Sequence, residues 1–233
     1  MENMNKAPKE IMDELHQKFV DNFAEWKKID DSRLERIFIG LQCVAATGEI
    51  LKKKNKSKHH LICCKIYDEI FSDGVSAIYL ASNAMNKPAN IVLRRILELG
   101  VATLYLWDMP HITYSWSRHD HDLSFSEMLK HINSIGYIAY LNGENSKQID
   151  GKLLPEKRLQ SIYGDLSDVV HGKITTFESS MPDRFKFVES EWQEFVALID
   201  EVVCLIVKAS IARHDISSEI INYVPLAKKE LRL

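Results

Sequence analysis

The sequence predicts an all-α protein, built as a single-domain bundle of about six or seven helices. Apolar residues recur every three or four positions along most of the chain, which is the period of an amphipathic helix. The chain contains only 9 Gly and 6 Pro, too few for the many tight turns of a β-sandwich or barrel. Its 233 residues are enough to bury a core without disulfide bonds, and the connections between periodic segments are short enough for one domain.

Seven segments carry this helical period. A capping box at Ser124 and Glu127 opens the fifth segment, and Pro155 opens the sixth. The predicted helices cover about 9–29, 34–51, 59–86, 88–107, 125–135, 155–172 and 190–214. Polar connections are expected at 111–122, 142–151 and 175–189. The predicted organisation is a flexible N-terminus (1–8), a helical domain (9–215) and a C-terminal tail (216–233).

Composition and charge exclude several classes of protein. The 30 Lys and Arg residues are balanced by 33 Asp and Glu, so no overall basic field attracts nucleic acid and any such site must be local. No uncharged apolar run reaches the roughly 18 residues of a membrane helix. The four cysteines form no Cys-x-x-Cys pair, and no Gly-rich nucleotide-binding loop occurs. We therefore expect a cytoplasmic protein with no membrane contact, no bound metal and no cofactor.

Three charged residues interrupt the most apolar predicted helix, at 88–107: Arg94, Arg95 and Glu98. An unpaired buried charge costs several kcal/mol, so these side chains need partners. Glu98 lies four residues after Arg94 and three after Arg95, and either pair can meet on one helix face. The group is either a structural ion pair at a seam of the bundle or a site arginine that Glu98 orients toward phosphate.

The predicted helix at 155–172 ends in a second polar group. Small and polar residues share one side of its last turns: Gly164, Ser167, Asp168 and His171. Asp168 lies three residues before His171, where its carboxylate can hold the imidazole and favour its charged form. Gly172 is typical of a helix C-terminus. His171 is accordingly either a capping and packing residue or a functional one.

Together, Leu-Arg-Arg-x-Leu-Glu-Leu at 93–99 and Tyr-Gly-x-Leu-Ser-x-x-Val-His-Gly at 163–172 resemble the HEPN-like helical proteins. The similarity is greatest to their uncharacterised and abortive-infection-type branches and covers about 85–180. The resemblance implies a helical bundle that dimerises through the helices carrying the motif. It also implies a metal-independent RNase of a toxin, phage-defence or RNA-processing system. In active members an Arg, four to six residues and then a His share one helix, and two protomers together act on the 2′-OH and the scissile phosphate.

Only His171 matches that pattern by position, because no Arg in this chain precedes a His at the family spacing. Arg94 or Arg95 would have to supply the guanidinium from the neighbouring helix. One hypothesis is RNA cleavage, with His171 as general acid or base and an arginine on the phosphate. The supporting residues would be Glu98, Asp168, Ser167 and Tyr163. The other hypothesis, favoured by the missing spacing, is a catalytically degenerate HEPN-like module that binds RNA or a partner protein.

A more remote alternative rests on the segment Arg-His-Asp-His-Asp at 118–122. Its His-Asp dyads resemble the helical HD phosphohydrolases, in which His and Asp bind a divalent metal. That family needs further ligands on facing helices, and no residues here have the context for that role.

Two geometric predictions follow from the small stripe of the helix at 155–172 and from the need of the charges at 94–98 for polar partners. The small stripe along 154–172 permits close helix approach, so a symmetric homodimer through this helix is expected. At least one of Arg94 and Arg95 should lie within hydrogen-bonding or water-bridged reach of the stripe at Ser167, Asp168 and His171.

Overall fold

The computed structural model describes residues 6–173 and 185–233, which form eleven α-helices and contain no strand. The prediction of an all-α protein is therefore confirmed for these residues. In chain order the helices are α1 (Pro8–Trp26), α2 (Arg33–Lys54), α3 (Lys58–Ser82), α4 (Asn86–Trp107), α5 (Pro110–Ser117), α6 (Phe125–Ile132), α7 (Ile135–Glu144), α8 (Glu156–Val170), α9 (Glu189–His214), α10 (Ser217–Tyr223) and α11 (Ala227–Glu230).

Eleven helices in the described ranges replace the expected six or seven. Three of the additional ones, α5, α10 and α11, have 8, 7 and 4 residues. Such short segments hold too few turns for a helical period to be visible in the sequence. The remaining helix, α7, arises because the predicted helix at 125–135 breaks before Ser134. The Ser134 hydroxyl accepts a hydrogen bond from the Tyr137 amide at 3.2 Å and starts a new helix.

The helix α4 lies at the centre of the bundle, as its apolar composition predicts. It packs against α3, α5, α6, α8 and α9. Its inward face is fully buried at Leu93, Ile96 and Leu104. Its outer face is open to solvent, since Ile91 is 46% exposed. The charged residues of α4 are therefore not all enclosed, although this helix is the most apolar one that the sequence predicts.

The predicted C-terminal tail is docked against the domain. α10 and α11 pack on α2, with Ile216, Ile220 and Ala227 buried at the contact. The predicted flexible N-terminus lies mostly outside the described residues, as does most of the predicted linker at 175–189. Among the helices of the described ranges, none combines the length and the apolar composition that crossing a bilayer requires.

A buried ion pair joins the end of α4 to α9. Arg213, which is 7% exposed, donates from Nε to Asp108 at 2.9 Å and pairs with it a second time through Nη2. The Tyr137 hydroxyl donates to the same carboxylate at 2.8 Å. Burial raises the pKa of Tyr137, so this hydroxyl stays protonated and remains a donor. This ion pair cannot be predicted from local spacing, because its two residues are 105 positions apart in the sequence.

Two histidines flank Trp107 beside this ion pair. The His60 ring stacks on Trp107 at 4.0 Å between ring centres, and the His214 ring meets it edge-on at 4.6 Å. Burial lowers the pKa of His60 and, more strongly, that of His214, which the neighbouring Arg213 charge lowers further. Both imidazoles are therefore neutral near pH 7 and serve as packing groups.

Candidate functional site

Arg94 has three partners, two on α8 and one on its own helix α4. Its Nε donates to the Ser167 hydroxyl at 3.1 Å, and its Nη2 donates to the Tyr163 hydroxyl at 2.7 Å and pairs with Glu98 at 2.9 Å. The guanidinium also lies 4.8 Å from the centre of the Tyr163 ring, within the range of a cation–π contact. The prediction that an arginine of α4 reaches the polar stripe of α8 is confirmed, and the arginine is Arg94.

Helical spacing explains why these four side chains meet. Arg94 and Glu98 lie one turn apart on α4, and Tyr163 and Ser167 lie one turn apart on α8. The Tyr163 hydroxyl closes the ring of hydrogen bonds by donating to Glu98 at 3.1 Å. Phe125 of α6 stacks flat on the Tyr163 ring, with 4.2 Å between ring centres, and so fixes the orientation of the tyrosine.

The guanidinium of Arg94 is held but not enclosed. Its side chain is 21% exposed, and that of Glu98 is 33% exposed. Within the described ranges no acceptor bonds to Nη1 of Arg94, while Nε and Nη2 are both engaged. The arrangement leaves one edge of an oriented guanidinium available to an anion, and guanidinium groups bind phosphate oxygens well.

Arg95 does not join this group. It donates to Glu69 at 2.9 Å and forms a second ion pair with Asp73, and both carboxylates belong to α3. Successive residues of an α-helix differ by about 100° around its axis, so Arg94 and Arg95 face different neighbours. Of the two arginines that the sequence offered for the composite site, the structure brings only Arg94 to α8.

His171 is the C-terminal cap of α8 and is exposed. The Gly172 amide donates to the backbone carbonyl of Val169 at 3.2 Å, and the Lys173 amide donates to the backbone carbonyl of Asp168 at 3.1 Å. This pair of hydrogen bonds is the Schellman motif. Gly172 has a φ of +62°, a left-handed conformation that glycine adopts without strain. The prediction that Gly172 ends the helix is confirmed. His171 follows Ser167 by four residues, about one turn and a rise of about 6 Å along the axis.

The expected pairing of Asp168 with His171 is wrong. The Asp168 carboxylate instead pairs with the Lys173 ammonium at 2.5 Å, and no hydrogen bond joins Asp168 to His171 among the described residues. The Schellman turn is the reason, since it folds the chain after His171 back over Asp168. The ion pair offsets a negative charge that would otherwise lie beside the histidine.

The loop between α5 and α6 carries the His-Asp segment of the HD alternative. His119, His121 and Asp122 line a shallow cavity beside Trp116. In the parts of the chain that the structure describes, no group of three or more His, Cys, Asp or Glu side chains is placed to hold a metal ion. The geometry gives the metal phosphohydrolase interpretation no support.

Sequence reasoning missed Phe125 as part of the site. Phe125 is one of the apolar residues of the predicted helix at 125–135, and the sequence pattern of a core phenylalanine is the same as that of one that supports a site residue. Only the packing of α6 against α8 shows which tyrosine it contacts.

Comparison of the chain with known protein families, with curated proteins and with solved structures gives no match. The resemblance to HEPN-like proteins therefore stays a prediction.

Proposed function

We propose that the chain is a HEPN-like protein that cleaves RNA without a metal ion, through a composite site of Arg94 and His171. The observation that carries this proposal is the contact between Arg94 of α4 and Ser167 of α8, one turn before His171. This contact supports the proposal because His171 follows Ser167 by one turn of α8, so an arginine of α4 can stand in for the one that is missing at the family spacing. A bacterial defence or toxin system is the setting we propose.

Each residue has a defined role in this proposal. His171 acts as general base toward a 2′-OH, or as general acid toward the leaving oxygen. Arg94 stabilises the negative charge that develops on the phosphate. Glu98, Tyr163 and Ser167 orient the guanidinium and do not touch the substrate.

We extend the proposal to a symmetric homodimer that uses α8. A Cβ atom added at Gly164 would meet nothing within 4 Å, so this face of α8 is open to close approach by a second helix. Sedimentation at micromolar concentration should show a dimer. A protein that stays monomeric under those conditions would contradict this part of the proposal.

A specific observation favours the second candidate, a catalytically degenerate HEPN-like module that binds RNA or a partner protein. Glu98 already neutralises Arg94 at 2.9 Å, so the arginine offers a phosphate less net charge than a free one would. Such a pair suits binding and recognition more than the stabilisation of a developing charge.

Incubating the purified protein with total RNA, with and without EDTA, separates these functions. The proposal predicts cleavage that EDTA does not inhibit, because neither Arg94 nor His171 needs a metal to act. Cleavage abolished by EDTA would favour the HD alternative. Intact RNA in both arms would reject cleavage, and a gel-shift measurement on the same samples would then test the binding module.

A further inference from the structure

A groove lies next to Arg94, between α4, α8 and α9. On α4 the polar residues Asn86, Asn90, Arg94 and Glu98 follow one another at intervals of four, so they lie along one face of the helix. Asn86 and Asn90 line the groove, which has a volume of about 340 Å³. This size is at the lower end of the range for small-molecule sites and suits a single nucleoside.

The groove has an apolar wall and a polar rim. Val169, Phe195 and Leu198 form the apolar wall. Asn86 donates a hydrogen bond to Glu191, so these two rim residues satisfy each other.

The rim also carries Lys87, Asn90 and Glu194, and of these Asn90 and Glu194 remain available to a ligand. No hydrogen bond or ion pair engages either of them in the described part of the chain. The amide of Asn90 offers one donor group and one acceptor, and the carboxylate of Glu194 is an acceptor only.

We propose that this groove is a nucleoside subsite of the RNA site and that it prefers guanine. The inference rests on the proposed function, because a nucleotide bound in the groove would need Arg94 to hold its phosphate. Asn90 lies one turn before Arg94 on the same face of α4. A nucleotide whose base lies in the groove can therefore reach Arg94 with its phosphate.

The chemistry of the rim selects guanine among the four bases. The Watson–Crick edge of guanine presents two adjacent N–H donors, which one carboxylate accepts together, as it does from an arginine. The guanine O6 then accepts a hydrogen bond from the Asn90 amide. Adenine, cytosine and uracil each lack this pair of donors, so Glu194 would be left with one hydrogen bond at most. Recognition of unstacked bases by their edges is the usual way in which single-stranded RNA is read.

Titration calorimetry with the four nucleoside monophosphates tests the subsite without requiring catalysis. We expect GMP to bind at least about tenfold more tightly than AMP, CMP or UMP. Glu194→Gln should remove at least about tenfold of the GMP affinity, because it replaces an acceptor by a donor facing N–H groups. Glu189→Gln is the matched control, since it removes the same charge from the exposed first turn of α9 outside the groove. Equal affinities for all four nucleotides, or GMP affinity unchanged in Glu194→Gln, would overturn the proposal.

RNA oligonucleotides with a single guanosine separate this inference from the proposed function. Metal-independent cleavage that neither depends on the guanosine nor changes in Glu194→Gln would overturn the subsite and leave cleavage standing. Selective GMP binding by a protein that cleaves no RNA would support the subsite and reject cleavage. The oligonucleotides should also bind more tightly than GMP, and equal binding would reject RNA in favour of a free guanosine nucleotide as the ligand.

Discussion

His171→Ala should lower the rate of RNA cleavage by at least about 100-fold, the usual contribution of a general acid or base. The melting temperature should stay nearly unchanged, because His171 is an exposed cap residue and the Schellman bonds are made by backbone groups. The rate is measured on a defined RNA in EDTA, and unfolding is followed by circular dichroism. His16→Ala is the control, because His16 is also exposed but lies on α1.

The two neighbouring arginines provide the sharper comparison. Arg94→Ala should reduce cleavage strongly, whereas Arg95→Ala should leave it within about twofold, because Arg95 faces Glu69 and Asp73 on α3. Arg94→Lys should rescue little, since an ammonium cannot reproduce the fork of hydrogen bonds to Ser167 and Tyr163. Equal losses in Arg94→Ala and Arg95→Ala, or full activity in His171→Ala, would reject the composite site.

Arg213→Ala should lower the free energy of unfolding by about 3–5 kcal/mol, the range for breaking a buried ion pair. The substitution leaves the carboxylate of Asp108 and the hydroxyl of Tyr137 without their shared cation in a nearly closed site. Urea unfolding, followed by circular dichroism, measures the change.

Arg158→Ala is the matched control for this prediction. Arg158 also grips a carboxylate through two nitrogens, at 2.8 and 2.6 Å from Glu201, but its side chain is 50% exposed. Removing it should cost less than about 1 kcal/mol. If the two variants lost comparable free energy of unfolding, burial would not be what makes the Arg213 ion pair stabilising. The double variant Arg213→Ala and Asp108→Ala should cost less than the two single changes added together, because the residues share one interaction.

The two arginine networks differ in a way that separates stability from function. Arg213 is enclosed, and the neutral histidines beside it pack on Trp107 as part of the core. Arg94 is oriented equally well but keeps an open edge and a partly solvated partner. An oriented charge at a helix junction with solvent access is the arrangement expected of a binding site, whereas the enclosed pair is expected to act on stability alone.

Features that depend on neighbours within one or two turns could be predicted from the sequence. The all-α class follows from the apolar period. The spacing of charges on α4 predicts that Glu98 pairs with Arg94 or Arg95, and the pair with Arg94 forms. The end of α8 follows from Gly172, whose left-handed conformation needs no tertiary contact. These are local properties, and the residues that cause them are adjacent on one helix.

Only the tertiary structure decided which side chains meet across helices. Spacing allowed either Arg94 or Arg95 to join the site, and the rotation of α4 against α8 and α3 selected Arg94. The sequence spacing would allow Asp168 to pair with His171, but the turn after α8 brings Lys173 to the Asp168 carboxylate instead. The pairing of Asp108 with Arg213 spans 105 positions, and the groove beside Asn90 requires three helices at once. A one-dimensional pattern records the period of each helix but not its rotation about its own axis relative to its neighbours, and that rotation determines the site.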